Sequence, residues 1–263
     1  MIEWLSYAGA GVIAGLLAGL FGIGGGLIIV PILLLVFSWQ AMSADVAIHV
    51  AIGTSLMTIS LTSLSSMRAH HRYGTIDWIL VRKLTPGLVV GSISGAVIAA
   101  NLSSEWLQSF FGAFALLMAA RMWLPSPNTV SPKLLAHSGM SAYGLLTGVI
   151  SAMVGIGGGT LVVPYLVMAG QQIQRAVGTA AACGFPIAVS GVIGFIWMGL
   201  SQQTNTSSWQ TGFVHWQAFL GIISTSIFMA PVGAIMAKKL SHEKLSRLFS
   251  LLLLVVGVVF LYR

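Results

Sequence analysis

The sequence predicts an all-α polytopic membrane protein made of two inverted-topology repeats, each with four transmembrane spans plus a glycine-broken hairpin segment. Three observations carry this prediction. Of 263 residues, 57% are hydrophobic and only 6% are charged, whereas soluble domains carry about 25% charged residues. Continuous apolar runs of about 20 residues, the length that spans a bilayer, recur along the chain. The motif GIGGG occurs twice, at corresponding places.

The repeat is clearest at the two glycine motifs and at one Gly-Thr pair. Residues 15–31 read GLLAGLFGIGGGLIIVP, and residues 148–164 read GVISAMVGIGGGTLVVP in the same register. The pair Gly53-Thr54 matches Gly178-Thr179. An internal repeat indicates that the two halves share one architecture. The predicted boundaries are an N-terminal repeat at 1–124, a proline-containing linker at 125–136 and a C-terminal repeat at 137–263.

Polar stretches and glycine motifs separate the apolar segments. In the first repeat these segments are 4–21, 27–37, 46–67, 84–100 and 106–124. In the second repeat they are 136–154, 161–169, 176–200, 216–237 and 245–262, with a polar loop predicted at Ser201–His215. Each glycine in a helix interior costs about 1 kcal/mol relative to alanine. We therefore predict that both glycine motifs interrupt a helix.

The lysines and arginines indicate how the two halves are oriented. If the chain reverses direction at each glycine motif, eleven of the twelve basic residues fall on one side of the membrane and only Arg263 on the other. Without these reversals they divide seven to five, which is no bias. Membrane proteins concentrate Lys and Arg on the cytoplasmic side, so reversing hairpins are favoured. Both termini then lie outside the cytoplasm, and the halves are inverted relative to each other, as in many secondary transporters.

Two inverted hairpins predict an anion site near the middle of the membrane, where their glycine tips would meet. Each tip leads into a short helix, whose first N–H groups are unpaired and carry about half a positive charge. Glycine also lets a ligand approach the backbone closely. The candidate ligands in the two motifs are Gly24, Gly25, Gly26, Gly157, Gly158, Gly159 and Thr160. The alternative is that these glycines only allow close helix packing, the role that we predict for the evenly spaced Gly11, Gly15, Gly19, Gly87, Gly91 and Gly95.

Hydroxyl groups inside the apolar spans are further candidates. Thr54, Ser55 and Thr179 lie next to the matched glycines, where their hydroxyls would complete the coordination of an oxyanion. Ser55 is matched by Ala180, so the predicted site is not fully symmetric. The alternative is a hydrogen bond between helices, or back-bonding to the carbonyl four residues earlier.

The histidines lead to two further hypotheses. His70 and His71 are adjacent and therefore do not share a helix face, so we interpret them as a solvated cytoplasmic cluster rather than a metal site. His49 and His215 lie near the predicted outer ends of spans. We interpret them as interfacial residues, with titration during transport as the alternative.

Several other functions are disfavoured by the sequence. The net charge of +7 is spread between apolar spans, which is typical of topology signals rather than of nucleic-acid binding. The glycine motifs lack the GxGxxG spacing of nucleotide-binding loops. The chain has a single cysteine, Cys183, and no metal-ligand spacing or nucleophile–base arrangement. We therefore predict neither an enzyme nor a cofactor or metal site.

The two GIGGG-x-x-x-x-P motifs, the two Gly-Thr pairs and the length resemble the TauE/SafE sulfite exporter family of membrane permeases. The resemblance extends over essentially the whole chain. It implies transport of small sulfur-containing anions, such as sulfite, sulfonates, sulfoacetate or thiosulfate, across a bacterial inner membrane. Matched position by position, it implies substrate-binding roles for Gly24–Gly26, Gly157–Gly159, Thr54 and Thr179.

We therefore expect a secondary transporter of small anions that works by alternating access. A passive anion channel is the first alternative, and an intramembrane enzyme is a less favoured one. The expected partners are the lipid bilayer, the anion, and a coupled proton or other ion. The oligomeric state stays open, with a homodimer as one option.

Overall fold

The structure, a computed structural model, describes residues 2–21, 26–123, 137–203, 208–239 and 242–262. These ranges contain ten α-helices and one β-hairpin. The first half contains α1 (Ile2–Phe21), α2 (Gly26–Trp39), α3 (Ala44–Arg72), α4 (Trp78–Asn101) and α5 (Ser104–Trp123). The second half contains α6 (His137–Val154), α7 (Gly159–Met168), α8 (Ile173–Ser201), β1 (Gln210–Thr211), β2 (Val214–His215), α9 (Trp216–Lys239) and α10 (His242–Leu261).

The predicted all-α membrane class is confirmed. Within the described residues, α3, α4 and α8 are long and apolar enough to cross a bilayer. α3 and α4 begin at residues whose side chains cap the helix, Ser43 for α3 and Asp77 for α4. The Asp77 carboxylate accepts hydrogen bonds from the N–H groups of Ile79 and Leu80, at 3.1 and 3.2 Å. Such caps satisfy donors that a helix leaves unpaired at its start.

The stretch predicted as a polar loop, Ser201–His215, contains a short antiparallel β-hairpin. Gln210 pairs with His215, and Thr211 pairs with Val214. Gly212, in the turn between the strands, has a φ of +58°, a conformation that glycine adopts without strain. The hairpin packs its apolar residues inward, with Phe213 and Val214 almost fully buried. Two-residue strands are too short to produce the alternating pattern by which a strand is predicted.

The halves interlock through two matched helix pairs. α1 lies along α9, and α6 lies along α4. Gly87, Gly91 and Gly95 of α4 touch the backbone of α6, while Gly11 and Gly15 touch the backbone of α9. The interpretation of these glycines as close-packing residues is therefore confirmed, because a Cβ at any of them would overlap a neighbouring main chain. The environment of Gly19 lies outside the side chains that the structure describes.

The chain reverses direction between α1 and α2 and again between α6 and α7. The Tyr7 hydroxyl near the start of α1 donates to Gln40 Oε1, just after α2, at 2.6 Å. In the second half, the ring of Tyr143 stacks on Tyr165 with their centroids 3.8 Å apart. The Tyr143 hydroxyl also donates to the Leu161 carbonyl at 2.7 Å. Each glycine motif thus separates two antiparallel helices, as the distribution of Lys and Arg predicts.

α3 and α8 run antiparallel through the core and define two ends of the molecule. At one end, which we call the hairpin end, the start of α3 meets the end of α4 and the β-hairpin. At the other, which we call the basic end, the end of α3 meets the starts of α4 and α8. Among the described side chains, every Lys or Arg lies toward the basic end. These residues are Arg68, Arg72, Arg82, Lys83, Arg121, Arg175 and Arg247.

Candidate functional site

The two glycine motifs meet in the structure, next to the middle of α3. Gly24 and Gly25 lie outside the described residues, whereas Gly26 is the first residue of α2. A Cβ on Gly26 would collide with the Gly155 carbonyl oxygen and would lie 2.7 Å from the Ile156 Cα and 3.0 Å from the Ile59 side chain. Gly26 of the first motif therefore packs directly on the backbone of the second motif.

A buried hydrogen bond fixes the second motif to α3. The Ser55 hydroxyl donates to the Gly155 carbonyl at 2.9 Å, and Ser55 has no exposed surface. Gly155 has a φ of +71°, which is a left-handed conformation that favours glycine. Ser55, predicted as a ligand, is thus engaged with the backbone of the motif itself.

The start of α7 presents backbone donors that no described residue accepts. The N–H groups of Leu161 and Val162 bond to the Gly158 carbonyl, at 3.3 and 2.7 Å. Within the described chain, the N–H groups of residues 157–160 have no acceptor. The Thr160 hydroxyl is also buried without a hydrogen-bond partner among the described residues. Unpaired donors at a helix start are the usual means of binding an anion without a basic side chain.

Space is available beside these donors. A Cβ added to Gly159 would meet no atom within 4 Å, and one added to Gly157 would meet only Ile59 Cγ2, at 3.4 Å. Gly158 faces α8, where its added Cβ would lie 2.8 Å from Ile187 Cδ1 and 3.9 Å from Cys183 Cβ. The side chains nearest to Gly157 and Gly158 are thus apolar apart from Cys183, and the space beside Gly159 is open.

Sequence reasoning missed two residues that line this region, Ile59 and Gly184. A Cβ on Gly184 would lie 4.0 Å from the Gly158 nitrogen and 3.5 Å from Ser63 Cβ. The register that aligns Gly53-Thr54 with Gly178-Thr179 also aligns Ile59 with Gly184. Continuing the alignment of the two halves a few residues beyond the Gly-Thr pairs would therefore have identified both positions.

Thr54 and Thr179 lie on opposite sides of the glycine contact and are not brought together. The Thr54 hydroxyl accepts the N–H of His215 at 3.0 Å, at the hairpin end. The Thr179 hydroxyl accepts the N–H of Asp77 at the same distance, at the basic end. His215 and Asp77 each precede the first residue of a helix, Trp216 of α9 and Trp78 of α4. Each threonine thus holds the start of a helix that belongs to the other half.

The histidines fall into two groups. At the basic end, His70 Nδ1 lies 2.9 Å from Thr75 Oγ1, and His71 Nδ1 accepts the indole N–H of Trp78 at 3.3 Å. Among the described residues, no group of three His, Cys, Asp or Glu side chains is placed to hold a metal ion. At the hairpin end, His49 and His215 are 4% and 5% exposed. Both are therefore buried in the fold.

A cavity of about 340 Å³ opens at the basic end, between the end of α3 and the start of α8. Its walls are formed by His70, Tyr73, Thr75, Ile173, Gln174 and Val177. Thr75 also contacts Gly178, the residue before Thr179. The cavity therefore lies beside the segment that carries the hydrogen bond between Thr179 and Asp77.

Known proteins similar to this chain are membrane transporters. The chain is 34% identical to a probable membrane transporter protein of Haemophilus influenzae, over 94% of each sequence. It is 28% identical to one from Methanocaldococcus jannaschii, over 95% of this chain and 92% of the relative. It is 27% identical to the probable membrane transporter protein YunE of Bacillus subtilis, over 96% and 95%. These names describe transporters and not enzymes.

No solved structure matches the chain. The family model described as sulfite exporter TauE/SafE matches residues 7–260. This match spans both helical hairpins and the contact between their glycine motifs. The chain therefore belongs to the TauE/SafE sulfite exporter family.

Proposed function

We propose that the protein is a secondary transporter of small sulfur-containing anions, of the sulfite, sulfonate, sulfoacetate or thiosulfate type, working by alternating access. The observation that carries the proposal is the start of α7, where the N–H groups of residues 157–160 and the Thr160 hydroxyl have no acceptor among the described residues. An oxyanion would accept these donors without needing a buried Lys or Arg. The matching motif at Gly24–Gly26 would supply donors from the opposite side.

The inverted relation of the two halves is part of the proposal. It is supported by the helix pairs that join the halves. α1 of the first half packs on α9 of the second, and the corresponding helix of the second half, α6, packs on α4 of the first. The matched hydrogen bonds of Thr54 and Thr179, at opposite ends of the molecule, support it as well. With the basic end in the cytoplasm, both termini lie outside, and the protein resides in a bacterial inner membrane.

Single cysteines introduced at the two ends should label from opposite sides of the membrane. We expect Tyr73→Cys at the basic end, where Tyr73 is exposed, to react only with a permeant maleimide in intact cells. Trp209→Cys at the hairpin end, also exposed, should react with an impermeant maleimide. Cys183→Ser provides the background, because Cys183 is the single cysteine and is buried. Labelling of both cysteines from the same side would contradict the proposed orientation.

In the proposed cycle, the two threonine contacts are the closures on either side of the bound anion. Opening toward the hairpin end separates Thr54 from His215, and opening toward the basic end separates Thr179 from Asp77. The cavity beside Thr75 and Val177 is then the cytoplasmic vestibule. A carrier of this kind has one closure intact at any time, which distinguishes it from a channel. The same cycle operates in a monomer or in each half of a homodimer.

Anion flux in proteoliposomes tests the function directly. We expect uptake of ³⁵S-labelled sulfite, of labelled thiosulfate or of a short sulfonate to saturate with concentration, and to be stimulated by the same anion inside the vesicle. Linear, unstimulated flux would indicate a passive anion channel. The absence of flux for all three anions, from protein shown to be folded, would contradict the proposed substrate class.

A further inference from the structure

We propose that His49 binds the proton that drives transport, a proposal that rests on the function proposed above. His49 lies in the second turn of α3, at the hairpin end, and is only 4% exposed. Glutamine occupies the matched position 174 in the second half, in the register of the Gly-Thr pairs. The titratable group is therefore confined to one half.

The hydrogen bonds of His49 determine where a proton can bind. Its Nε2 lies 3.1 Å from the Ala99 carbonyl oxygen and 3.1 Å from the Leu102 carbonyl oxygen. Carbonyl oxygens only accept, so Nε2 carries a hydrogen and the neutral ring has its lone pair on Nδ1. Nδ1 is buried and has no hydrogen-bond partner among the described residues. The ring is thus fixed through one nitrogen, while the other is left as a base.

Two acidic residues lie on the helices beside His49. Asp45 lies one turn earlier on the same face of α3, and Glu105 lies in the first turn of α5, whose Ser104 bonds to the Asp45 carbonyl. On the hairpin side the titratable neighbour is His215, whose Nδ1 accepts the N–H of Ala218 at 3.2 Å. At the end of α4, the groups that face His49 are the carbonyl oxygens of Ala99 and Leu102. Among the described side chains, Lys and Arg are absent from this end.

Contacts along α3 connect His49 to the glycine motifs. The His49 ring stacks on Phe213 of the β-hairpin, with the centroids 5.2 Å apart. One turn further along α3, Gly53 touches the Phe213 carbonyl and Thr54 accepts the N–H of His215. The next residue, Ser55, bonds to Gly155 of the second motif. Protonation of His49 therefore acts on the hairpin that closes this end and on the helix that holds the motif.

The proton balance is simple. One proton from the hairpin-end solution binds the Nδ1 lone pair and produces an imidazolium, while Nε2–H stays on its two carbonyls. The added positive charge offsets the negative charge of the anion at the start of α7. After the chain opens to the basic end, the anion and the proton leave and neutral His49 is restored. One proton then moves with each anion.

His49→Gln tests this role against a purely structural one. Glutamine places an amide N–H about where Nε2–H lies, so it keeps the donor to the two carbonyls but cannot be protonated. In proteoliposomes with ³⁵S-thiosulfate or ³⁵S-sulfite and the membrane potential clamped at zero, an imposed gradient of about one pH unit should give wild type about ten-fold accumulation for one proton per anion. His49→Gln should show no accumulation above equilibrium, yet should retain exchange of external for internal anion.

The matched control is His71→Gln, an exposed histidine at the other end of the same helix, which should accumulate anion like wild type. Gradient-driven accumulation by His49→Gln would overturn the inference and leave the proposed function standing. Anion uptake by wild type that does not accumulate with the pH gradient would also overturn the inference and leave the proposed function standing. The absence of any anion exchange by wild type would overturn the proposed function, and this inference with it.

If His49→Gln does not fold, Asp45→Asn decides. Asp45 is exposed, and its loss removes a negative charge one turn from His49. The pH at which gradient-driven anion accumulation is half-maximal should be lower in this variant than in wild type at low ionic strength. Arg82→Gln, which removes an exposed charge at the basic end, should leave that pH unchanged. An unchanged half-maximal pH in Asp45→Asn would overturn the inference.

Discussion

Replacing Gly159 by valine is expected to abolish anion flux while the protein still folds and inserts. A Cβ at Gly159 meets no atom within 4 Å, so the fold accommodates the larger side chain. The new methyl groups would instead occupy the space beside the unpaired N–H groups of residues 157–160. We expect flux to fall about ten-fold or more, which corresponds to about 1.4 kcal/mol of lost interaction with the anion. Proteoliposome uptake of ³⁵S-sulfite and ³⁵S-thiosulfate measures this loss.

Gly139→Val is the matched control for that experiment. Gly139 lies in the first turn of α6, and a Cβ added there also meets nothing within 4 Å. It lies away from the glycine contact and is exposed. Flux through Gly139→Val should therefore equal that of wild type. Wild-type flux through Gly159→Val would mean that the space beside α7 is not on the path of the anion.

Gly26→Ala is expected to destabilise the fold itself. The added Cβ would overlap the Gly155 carbonyl oxygen and press on the Ile156 Cα. Both contacts are with backbone, so no side chain can rotate away. Overpacking of this kind costs about 1 to 3 kcal/mol. The midpoint of thermal unfolding in detergent should fall, and flux should fall with it because the two glycine motifs would be pushed apart.

Gly9→Ala provides the comparison, because Gly9 is on α1 and its added Cβ would meet no atom within 4 Å. Its thermal midpoint should equal that of wild type. If Gly26→Ala were as stable as Gly9→Ala, the contact between the two glycine motifs would not exist in the folded protein. The pair of variants thus tests the centre of the molecule independently of any substrate.

Much of the fold follows from the sequence because membrane constraints are strong. Apolar runs mark the helices, and the one-sided distribution of Lys and Arg predicts the reversals that Tyr7 and Tyr143 stabilise in the structure. Packing glycines such as Gly91 were also recognisable, because small residues at helical spacing allow close contact. These signals are local or periodic, and so a single sequence contains them.

The site was predicted less completely, because its details depend on contacts between distant residues. Thr54 and Thr179 were chosen as ligands from their matched positions, yet each accepts a hydrogen bond from the backbone of the other half. Their role as substrate ligands stays a prediction, as does that of Gly24 and Gly25. The burial of His49 under Phe213 could not be foreseen, because it requires a hairpin without a sequence signal.

The pairing of α1 with α9 has a consequence for how the protein is made. The Thr225 hydroxyl on α9 donates to the Ala8 carbonyl on α1, across 217 residues of chain. During synthesis, α1 enters the membrane long before its partner leaves the ribosome. The face of α1 that carries Gly11 and Gly15 therefore contacts lipids or the insertion machinery until α9 has been synthesised. The first half completes its own structure only when the second half arrives, so the two halves mature together rather than one after the other.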